Sequence, residues 1–159
     1  MKTEGSPKAQ RSAGRLAAVQ AVYQMIANEQ RAASVLTDFK SHPPVNGQDG
    51  EAMITPDTAL LSAITQGVET RRDDVEQLIA GTQKRRSSTG DEGAYAPNEP
   101  LLHSLLLCGA YELLAHHDTD APVIISDYLE VAHAFFDQGE SKLVNGVLDN
   151  ISKGVRDSE

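Results

Sequence analysis

A histidine pair and a single cysteine are the residues of this chain whose types could support metal binding or catalysis. His116 and His117 are adjacent, and adjacent helical residues point about 100° apart, so one ion is rarely held by both. Cys108 lies among leucines, which predicts a buried, inert thiol. The chain also lacks a phosphate-binding Gly-Lys-Ser/Thr loop and a Gly-x-Gly-x-x-Gly turn. We therefore expect no catalytic residue, no metal site and no cofactor.

The positive charges near the N-terminus are the second candidate for a site. Residues 1–40 contain six basic and three acidic residues, a formal +3, whereas the whole chain carries −9, which leaves −12 for the remainder. Arg11 and Arg15 are one helical turn apart and are predicted to face the same way. Phosphate contacts dominate nucleic-acid affinity, so the net charge argues against a nucleic-acid binder that acts alone. A solvated basic helix is the simpler interpretation of the charges by themselves.

Apolar residues recur at helical spacing through most of the chain, and no segment alternates as a strand would. In the first predicted helix, about 10–28, one apolar face holds Leu16, Val19, Tyr23 and Ile26, so Tyr23 is predicted to lie in the core. Further helices are predicted at about 31–40, 55–80, 98–116, 122–136 and 140–155. The leucine-rich helix at 98–116 is predicted to be central. The pattern predicts an all-α, single-domain bundle of six or seven helices.

Two segments are predicted to lie outside the helices. Residues 1–9 are polar and lack an apolar period, which predicts a disordered N-terminal tail. Residues 82–97 combine a basic run with Ser, Thr, Gly and acidic residues, and are predicted to form a flexible loop between two helical halves. Thr55 and Asn98 are the predicted N-caps of the helices that follow them, and Gly81 is the predicted helix end.

Several runs of residues resemble the NusB family. Near the N-terminus, Arg11 and Arg15 precede the run AVQAVY at 18–23, which is similar to the family's arginine-rich start and its Ala-Val-Gln-Ala-Leu-Tyr. The family's last helix opens with a Phe-Val-Asn-Gly-Val-Leu-Asp type of run. The C-terminal runs are GAYELL at 109–114, ISDYLEVA at 125–132, FF at 135–136 and LVNGVLD at 143–149. The similarity covers roughly residues 10–28 and 101–152.

The resemblance implies an all-helical fold of two packed halves, in a domain that we place at 10–156, and a transcription antitermination factor without a cofactor. Family members bind the boxA segment of nascent RNA together with the ribosomal protein NusE. They help RNA polymerase to read through terminators, notably in ribosomal RNA operons. By this resemblance, the expected RNA-binding residues are Arg11, Arg15, Ser141, Lys142 and Asn145.

The chain departs from the family pattern at several positions that bear on RNA binding. Ser12 and Ala13 stand where the family commonly has arginines, Leu107 replaces a basic residue, and Leu143 replaces a phenylalanine. These departures leave a second hypothesis open, in which the chain is a protein-interaction module or homodimer with reduced RNA binding. An enzyme is disfavoured, because NusB-like domains fused to RNA cytosine methyltransferases accompany a methyl-donor domain for which 159 residues leave no room.

The cysteine content and the apolar runs bear on location. A single cysteine can form no disulfide framework within the chain and agrees with a reducing compartment. Apolar runs such as 105–108 are far shorter than the ~20 residues that cross a bilayer. A cytoplasmic protein without a membrane association is therefore expected.

Overall fold

Seven helices form the regular secondary structure of residues 5–42, 54–88 and 99–156, the ranges that the computed structural model describes, the side chains of 83–88 excepted. They are α1 (Pro7–Asn28), α2 (Ala32–Ser41), α3 (Thr58–Thr70), α4 (Arg72–Ser88), α5 (Pro100–Ala115), α6 (Ala121–Phe135) and α7 (Gln138–Arg156). The predicted all-α fold of six or seven helices is confirmed. Within these ranges, no helix is both long enough and apolar enough to traverse a bilayer.

Helix α5 lies at the centre of the bundle. Ten of its residues are buried, and α1, α3, α4, α6 and α7 all pack against it. Cys108 is fully buried on this helix, and burial raises the pKa of its thiol well above the usual range, as expected for an inert core residue. The prediction that a helix apolar around most of its circumference is central is confirmed. The positions of α1, α6 and α7 are set by their packing against α5.

Helix α1 begins earlier than the sequence suggested. It starts at Pro7, inside the predicted tail, because the Ser6 hydroxyl accepts a hydrogen bond from the Ala9 amide and proline suits a first helical turn. The expectation that all of residues 1–9 are disordered is therefore corrected for Pro7, Lys8 and Ala9. Residues 1–4 lie outside the described ranges. The earlier start adds Lys8 to the helix that carries Arg11.

The segment predicted as one helix at 55–80 is two helices. Asp57, and not Thr55, caps α3, because its carboxylate accepts a hydrogen bond from the Leu60 amide. Arg71 leaves helical geometry between α3 and α4. The first helix of the pair therefore ends well before Gly81.

Helix α4 extends into the predicted loop. Thr82 is fully buried in line with Val75 and Ile79, and this buried face carries the helix past Gly81 to Ser88. The prediction of a flexible loop is therefore wrong for 82–88, whereas 89–98, including the predicted cap Asn98, lies outside the described ranges. In α5 the N-cap position is Glu99.

The buried face of α1 consists mostly of small residues. Ala17, Ala18 and Ala21 lie in the core, and they allow α1 to pack closely on α3 and α5. Tyr23 is 40% exposed, so the prediction that it lies in the core is wrong. The other three residues of that predicted face are placed correctly, since Val19 is buried and Leu16 and Ile26 pack against the core. Tyr23 was misassigned because much of the inner face of α1 is alanine, whose small size is not a distinctive apolar signal in the sequence.

The N-terminal half of α1 is fixed against the start of α3. The Asp57 amide donates a hydrogen bond to the Gln10 carbonyl at 2.8 Å. A Cβ atom on Gly14 would lie 2.9 Å from the Asp57 carbonyl oxygen, so glycine is what permits this approach. The contact sets the position of the exposed turn that presents Lys8 and Arg11.

The end of α7 is fastened to the turn between α5 and α6 by one arginine. The Arg156 guanidinium donates hydrogen bonds of 2.7–3.3 Å to the carbonyl oxygens of Glu112, Leu113, His116 and Thr119. Leu113 and His116 lie at the C-terminal end of α5, where carbonyl groups lack i+4 helical partners and a cation is favourable. The Glu112 carbonyl also accepts a hydrogen bond from the His116 amide. The contact positions α7 relative to α5.

Replacing Arg156 with methionine is expected to lower the free energy of unfolding by about 2 kcal/mol, because several carbonyl groups lose a charged donor. Urea denaturation followed by circular dichroism measures the change. Lys153→Met is the matched control on the same helix, since the ion pair of Lys153 with Asp149 is exposed, and an effect within about 0.5 kcal/mol is expected. Equal effects of the two substitutions would contradict the role given to Arg156.

Candidate nucleic-acid interface

Arg15, one of the expected RNA-binding residues, is buried in an ion-pair network. It is 2% exposed. Its Nε and Nη2 donate to the two carboxylate oxygens of Glu112 at 2.7 and 3.0 Å, and its Nη1 donates to Asp127 Oδ2 at 2.6 Å. The expectation that Arg15 contacts RNA is corrected, because its guanidinium is enclosed and already faces two carboxylates.

The network continues on both sides of this pair and joins three helices. Tyr128 donates to Glu112 Oε2 at 2.6 Å, and Ser12 donates to Asp127 Oδ1 at 2.8 Å. Burial by itself would raise the pKa of Glu112, but hydrogen bonds from His116, Arg15 and Tyr128 hold it below its ordinary value. Burial alone would lower the pKa of Arg15, but Glu112 raises it, so both groups stay charged. The network therefore fixes α1 against α5 and α6.

Most of the lysine and arginine residues with described side chains form ion pairs or hydrogen bonds, and four do not. Arg31, Arg71, Arg72 and Lys153 each pair with a carboxylate. The cations that are exposed and have no hydrogen bond or ion pair with the described part of the chain are Lys8, Arg11, Lys40 and Lys142. An unpaired surface cation is the group that a phosphate can take up without breaking an existing contact.

Three of these four cations lie on α1 and α7, two helices that pack against α6. Ala9 and Ser12, beside Lys8 and Arg11, line a cavity of about 300 Å³ together with Glu130 and Ala134 of α6. On the other side of α6, His133 Nδ1 lies 3.4 Å from the hydroxyl of Ser141, the neighbour of Lys142. We call the surface formed by Lys8, Arg11, His133, Lys142 and Asn145 the basic seam.

The structure divides the five expected RNA-binding residues into two groups. Arg11, Lys142 and Asn145 are exposed, on α1 and on the first turns of α7. Arg15 and Ser141 are buried, and the Ser141 hydroxyl lies 3.4 Å from the Asp137 carbonyl as well as near His133. The expectation that Ser141 contacts RNA is therefore corrected to a role in positioning the start of α7.

Two residues of the basic seam were missed in the sequence. Lys8 is three positions before Arg11, which is the spacing of helical neighbours, but it fell in the predicted tail. His133 could not be assigned, because its position beside α7 depends on how α6 and α7 pack. A Pro following a Ser, at Ser6-Pro7, was the signal that could have placed Lys8 in the helix.

A second surface, which we call the aromatic groove, lies between α1, α2, α5 and α6. Tyr23 and Phe135, which are 40% and 38% exposed, are two of the three exposed large hydrophobic residues in the described ranges. The Oε1 atom of Gln20 is buried there without a hydrogen-bond partner in the described part of the chain. The groove has a volume of about 660 Å³ and is lined by Gln20, Tyr23, Gln24, Ala27, Asn28, Phe39, His42, Leu101 and Phe135.

The histidine pair does not assemble a metal centre. His116 Nδ1 lies 3.4 Å from Glu112 Oε1, and its ring stands edge-on to Tyr111 at 5.2 Å, whereas His117 is exposed. Among the described residues, no three side chains of the metal-binding types come together. The candidate sites of the described ranges are thus surfaces, and they are the basic seam and the grooves beside it.

These features define a small all-α protein whose candidate sites are binding surfaces. In fold it is similar to T. maritima NusB, with a TM-score of 0.66 and 21% sequence identity over 96% of this chain and 93% of that one.

The comparison with sequence families gives the more specific result. The sequence model of the NusB family matches residues 12–153. Transcription antitermination protein NusB of Allorhizobium ampelinum is 37% identical, and that of Rhizobium rhizogenes 36%, each over 147 residues, 92% of this chain and 88% of the relative. The chain belongs to the NusB family, so the resemblance found in the sequence is confirmed. Its relatives are named as transcription antitermination proteins and not as enzymes.

Proposed function

We propose that this chain acts in transcription antitermination by binding boxA RNA along the basic seam and NusE in the aromatic groove. The single observation that carries the proposal is that Lys8, Arg11 and Lys142 are exposed and unpaired on α1 and α7, two helices that pack against α6. In this role the chain is a cytoplasmic, non-enzymatic part of the complex that accompanies RNA polymerase, and it needs no cofactor.

The basic seam suits weak, salt-dependent binding of single-stranded RNA. Its three unpaired cations can each contact a phosphate, and the exposed amide of Asn145 can hydrogen-bond a base or a sugar. Glu130 lies on the same stretch of α6 and repels phosphate. Three phosphate contacts on a single strand give a slope of log K against log salt of about −2. The modest number of cations explains why RNA binding would depend on a protein partner.

The aromatic groove suits a basic protein partner. Tyr23 and Phe135 are the kind of exposed aromatic side chains that become energetic anchors when a partner covers them. The net charge of −9 attracts a positively charged ribosomal protein such as NusE.

The two surfaces adjoin along α6, which supports cooperation between the ligands. Ala134 lines the cavity beside the basic seam, and the next residue, Phe135, lines the aromatic groove. A basic partner in the groove therefore adds its own positive charges at the end of α6 that borders the cavity beside the basic seam. RNA laid along the seam would gain phosphate contacts from the partner as well as from this chain.

The RNA site is tested by removing two of its cations. Arg11→Ala combined with Lys142→Ala is expected to weaken boxA RNA binding about tenfold or more and to reduce the salt slope by about 1.4, because two phosphate contacts are lost. Fluorescence anisotropy of labelled RNA at several salt concentrations, with and without NusE, measures both quantities. Arg71→Ala combined with Lys153→Ala removes the same charge from paired surface positions and is expected to leave the slope unchanged. An unchanged slope in the Arg11 and Lys142 variant would refute the site.

The second candidate function is self-association through the aromatic groove, and the exposure of Tyr23 and Phe135 favours it. Sedimentation velocity distinguishes the two functions. A tight dimer that excludes NusE and has no RNA affinity would favour the interaction module. A monomer that forms a complex with NusE and RNA favours antitermination by the proposed route.

A further inference from the structure

A second groove lies between α2 and α3. It has a volume of about 440 Å³, within the range of ~300–1,000 Å³ typical of ligand clefts. Leu36, Phe39 and Leu61 form its apolar walls. We call it the α2–α3 groove, and its lining is completed by Ala33, Thr37, Lys40, Pro56, Thr58, Ser62 and Gln66. Phe39 also lines the aromatic groove, so α2 separates the two.

Helix α2 is only partly covered by the rest of the described chain. Ala32 and Val35 are its buried residues, whereas Leu36 and Phe39 are half-buried against the core. An amphipathic helix normally buries its apolar stripe against another element. The remaining apolar surface of α2 is therefore available on the side that faces the α2–α3 groove.

Lys40 gives this groove a charge that differs from that of the chain as a whole. It is exposed and has no ion pair or hydrogen bond with the described part of the chain, and no acidic residue is among the described residues that line the groove. The neighbouring Asp38 is two residues away on the helix and so points to a different side, where it accepts hydrogen bonds from Gln24 and Gln30. Lys40 is therefore the only charged residue among the described residues that line the groove, and Asp57, between Pro56 and Thr58, uses its carboxylate to cap α3.

We propose that the α2–α3 groove docks an acidic amphipathic helix of a partner protein. The apolar residues of that helix, spaced i and i+3 or i+4, enter between Leu36, Phe39 and Leu61, and a carboxylate beside them pairs with Lys40. The small rim residues Ala33 and Ser62 permit a helix backbone to approach closely. The site is separate from the basic seam. Its apolar walls suit side chains that RNA does not have, and Lys40 suits an acidic group, so its partner is neither the RNA nor the basic protein proposed above.

The test is a titration of the full-length, isotope-labelled protein with a synthetic 16-residue helical peptide that carries leucine at i and i+4 and glutamate between them. NMR shifts are followed at 0.15 M salt, where charges beyond about 8 Å are screened. The expected result is a saturable shift confined to residues of α2 and α3 that line the groove. Lys40→Glu is expected to weaken the peptide about tenfold, because it reverses the charge that pairs with the carboxylate.

Lys142→Glu is the matched control, since it reverses an unpaired cation of the basic seam and is expected to leave peptide binding unchanged. Conversely, Lys40→Glu is expected to leave RNA affinity unchanged. A negative result for peptide docking in the α2–α3 groove can therefore be distinguished from a negative result for RNA binding along the basic seam. The proposal is overturned by equal binding of a peptide with lysine in place of glutamate, or by shifts outside the groove. It is also overturned if the groove signals shift with protein concentration alone, which indicates a second copy. Binding that occurs only after 43–53 is replaced by a Gly-Ser linker overturns it as well, because the chain itself then competes for the groove.

Discussion

Replacing Arg15 with methionine is expected to lower the free energy of unfolding by about 3–5 kcal/mol at neutral pH. Methionine keeps much of the side-chain volume but leaves the carboxylate of Glu112, which is fully buried, without its cation. Breaking a buried ion pair by removing one partner is strongly destabilising, because the remaining charge is desolvated and unpaired. Urea denaturation at pH 7, followed by circular dichroism, measures the change.

The loss is expected to shrink as the pH falls. In the parent protein the pKa of Glu112 is lowered, so its contribution to stability is present above the ordinary glutamate pKa of about 4.3 and disappears as the pH falls through the lowered value. Without Arg15, burial outweighs the remaining hydrogen bonds and raises the pKa of Glu112. The carboxylate of the variant then binds a proton in the folded state, which relieves the unpaired charge. The two stability curves should therefore approach each other as the pH falls from 7 toward about 4.3, and they should continue to converge below that value as the parent carboxylate is protonated.

Two further variants separate this explanation from a general loss of packing. Arg11→Met removes the same charge from an exposed position one turn away and is expected to change stability by less than about 0.5 kcal/mol. Adding Glu112→Gln to Arg15→Met removes the buried charge and is expected to recover part of the loss at pH 7. If Arg15→Met is as stable as the parent but has lost RNA affinity, Arg15 is an RNA contact and its structural assignment is wrong.

The bundle was largely predictable from the sequence, because each helix carries its apolar residues at helical spacing. The leucines of α5 indicated its central position. The same periodicity delimited six segments and missed the break at Arg71 that separates α3 from α4. The ends of α1 and α4 were less predictable. One depends on the hydroxyl of Ser6, and the other on the burial of Thr82, which is a tertiary contact that no local pattern records.

The candidate site was predictable only where exposure follows from local sequence. Arg11 and Arg15 share a helix face by their spacing, but the carboxylates that bury Arg15 come from Glu112 and Asp127, 97 and 112 positions further along the chain. The apolar periodicity of a single helix cannot predict an ion-pair partner that lies on another helix so far away in the sequence. The same limitation applies to Tyr23, since its exposure depends on where α2, α5 and α6 leave a groove beside α1.

Helix α1 contributes to the two proposed ligand surfaces and to the ion-pair network with different parts of its length. Its first turns carry Lys8 and Arg11, its middle is locked to α5 and α6 through Arg15, and its last turns present Tyr23 to the aromatic groove. The locked middle keeps the RNA surface and the partner surface at a fixed separation. A partner that fills the groove therefore meets an already positioned basic seam, which reduces the ordering needed on binding.

Removing both aromatic anchors of the groove is expected to be the most damaging change to partner binding. Tyr23→Ala combined with Phe135→Ala should raise the Kd for NusE about 100-fold or more, since truncation of a single aromatic hot spot typically raises Kd by ~30-fold. Both side chains are substantially exposed in the free protein, so the variant is expected to remain folded with its unfolding midpoint little changed. Isothermal titration calorimetry measures the affinity, and RNA binding without NusE should be unaffected.

Val123→Ala is the matched control, because Val123 is the third exposed large hydrophobic residue of the described ranges and lies on the first turn of α6. It is 12 residues from Phe135, or about 18 Å along the helix, so it lies outside the groove and its loss should leave NusE affinity unchanged. Equal losses for Val123→Ala and the double variant would mean that NusE meets another face of α6. Full NusE affinity in the double variant would show that NusE does not bind in the aromatic groove. Cooperation between NusE and RNA could then not be explained by the adjacency of the two surfaces on α6.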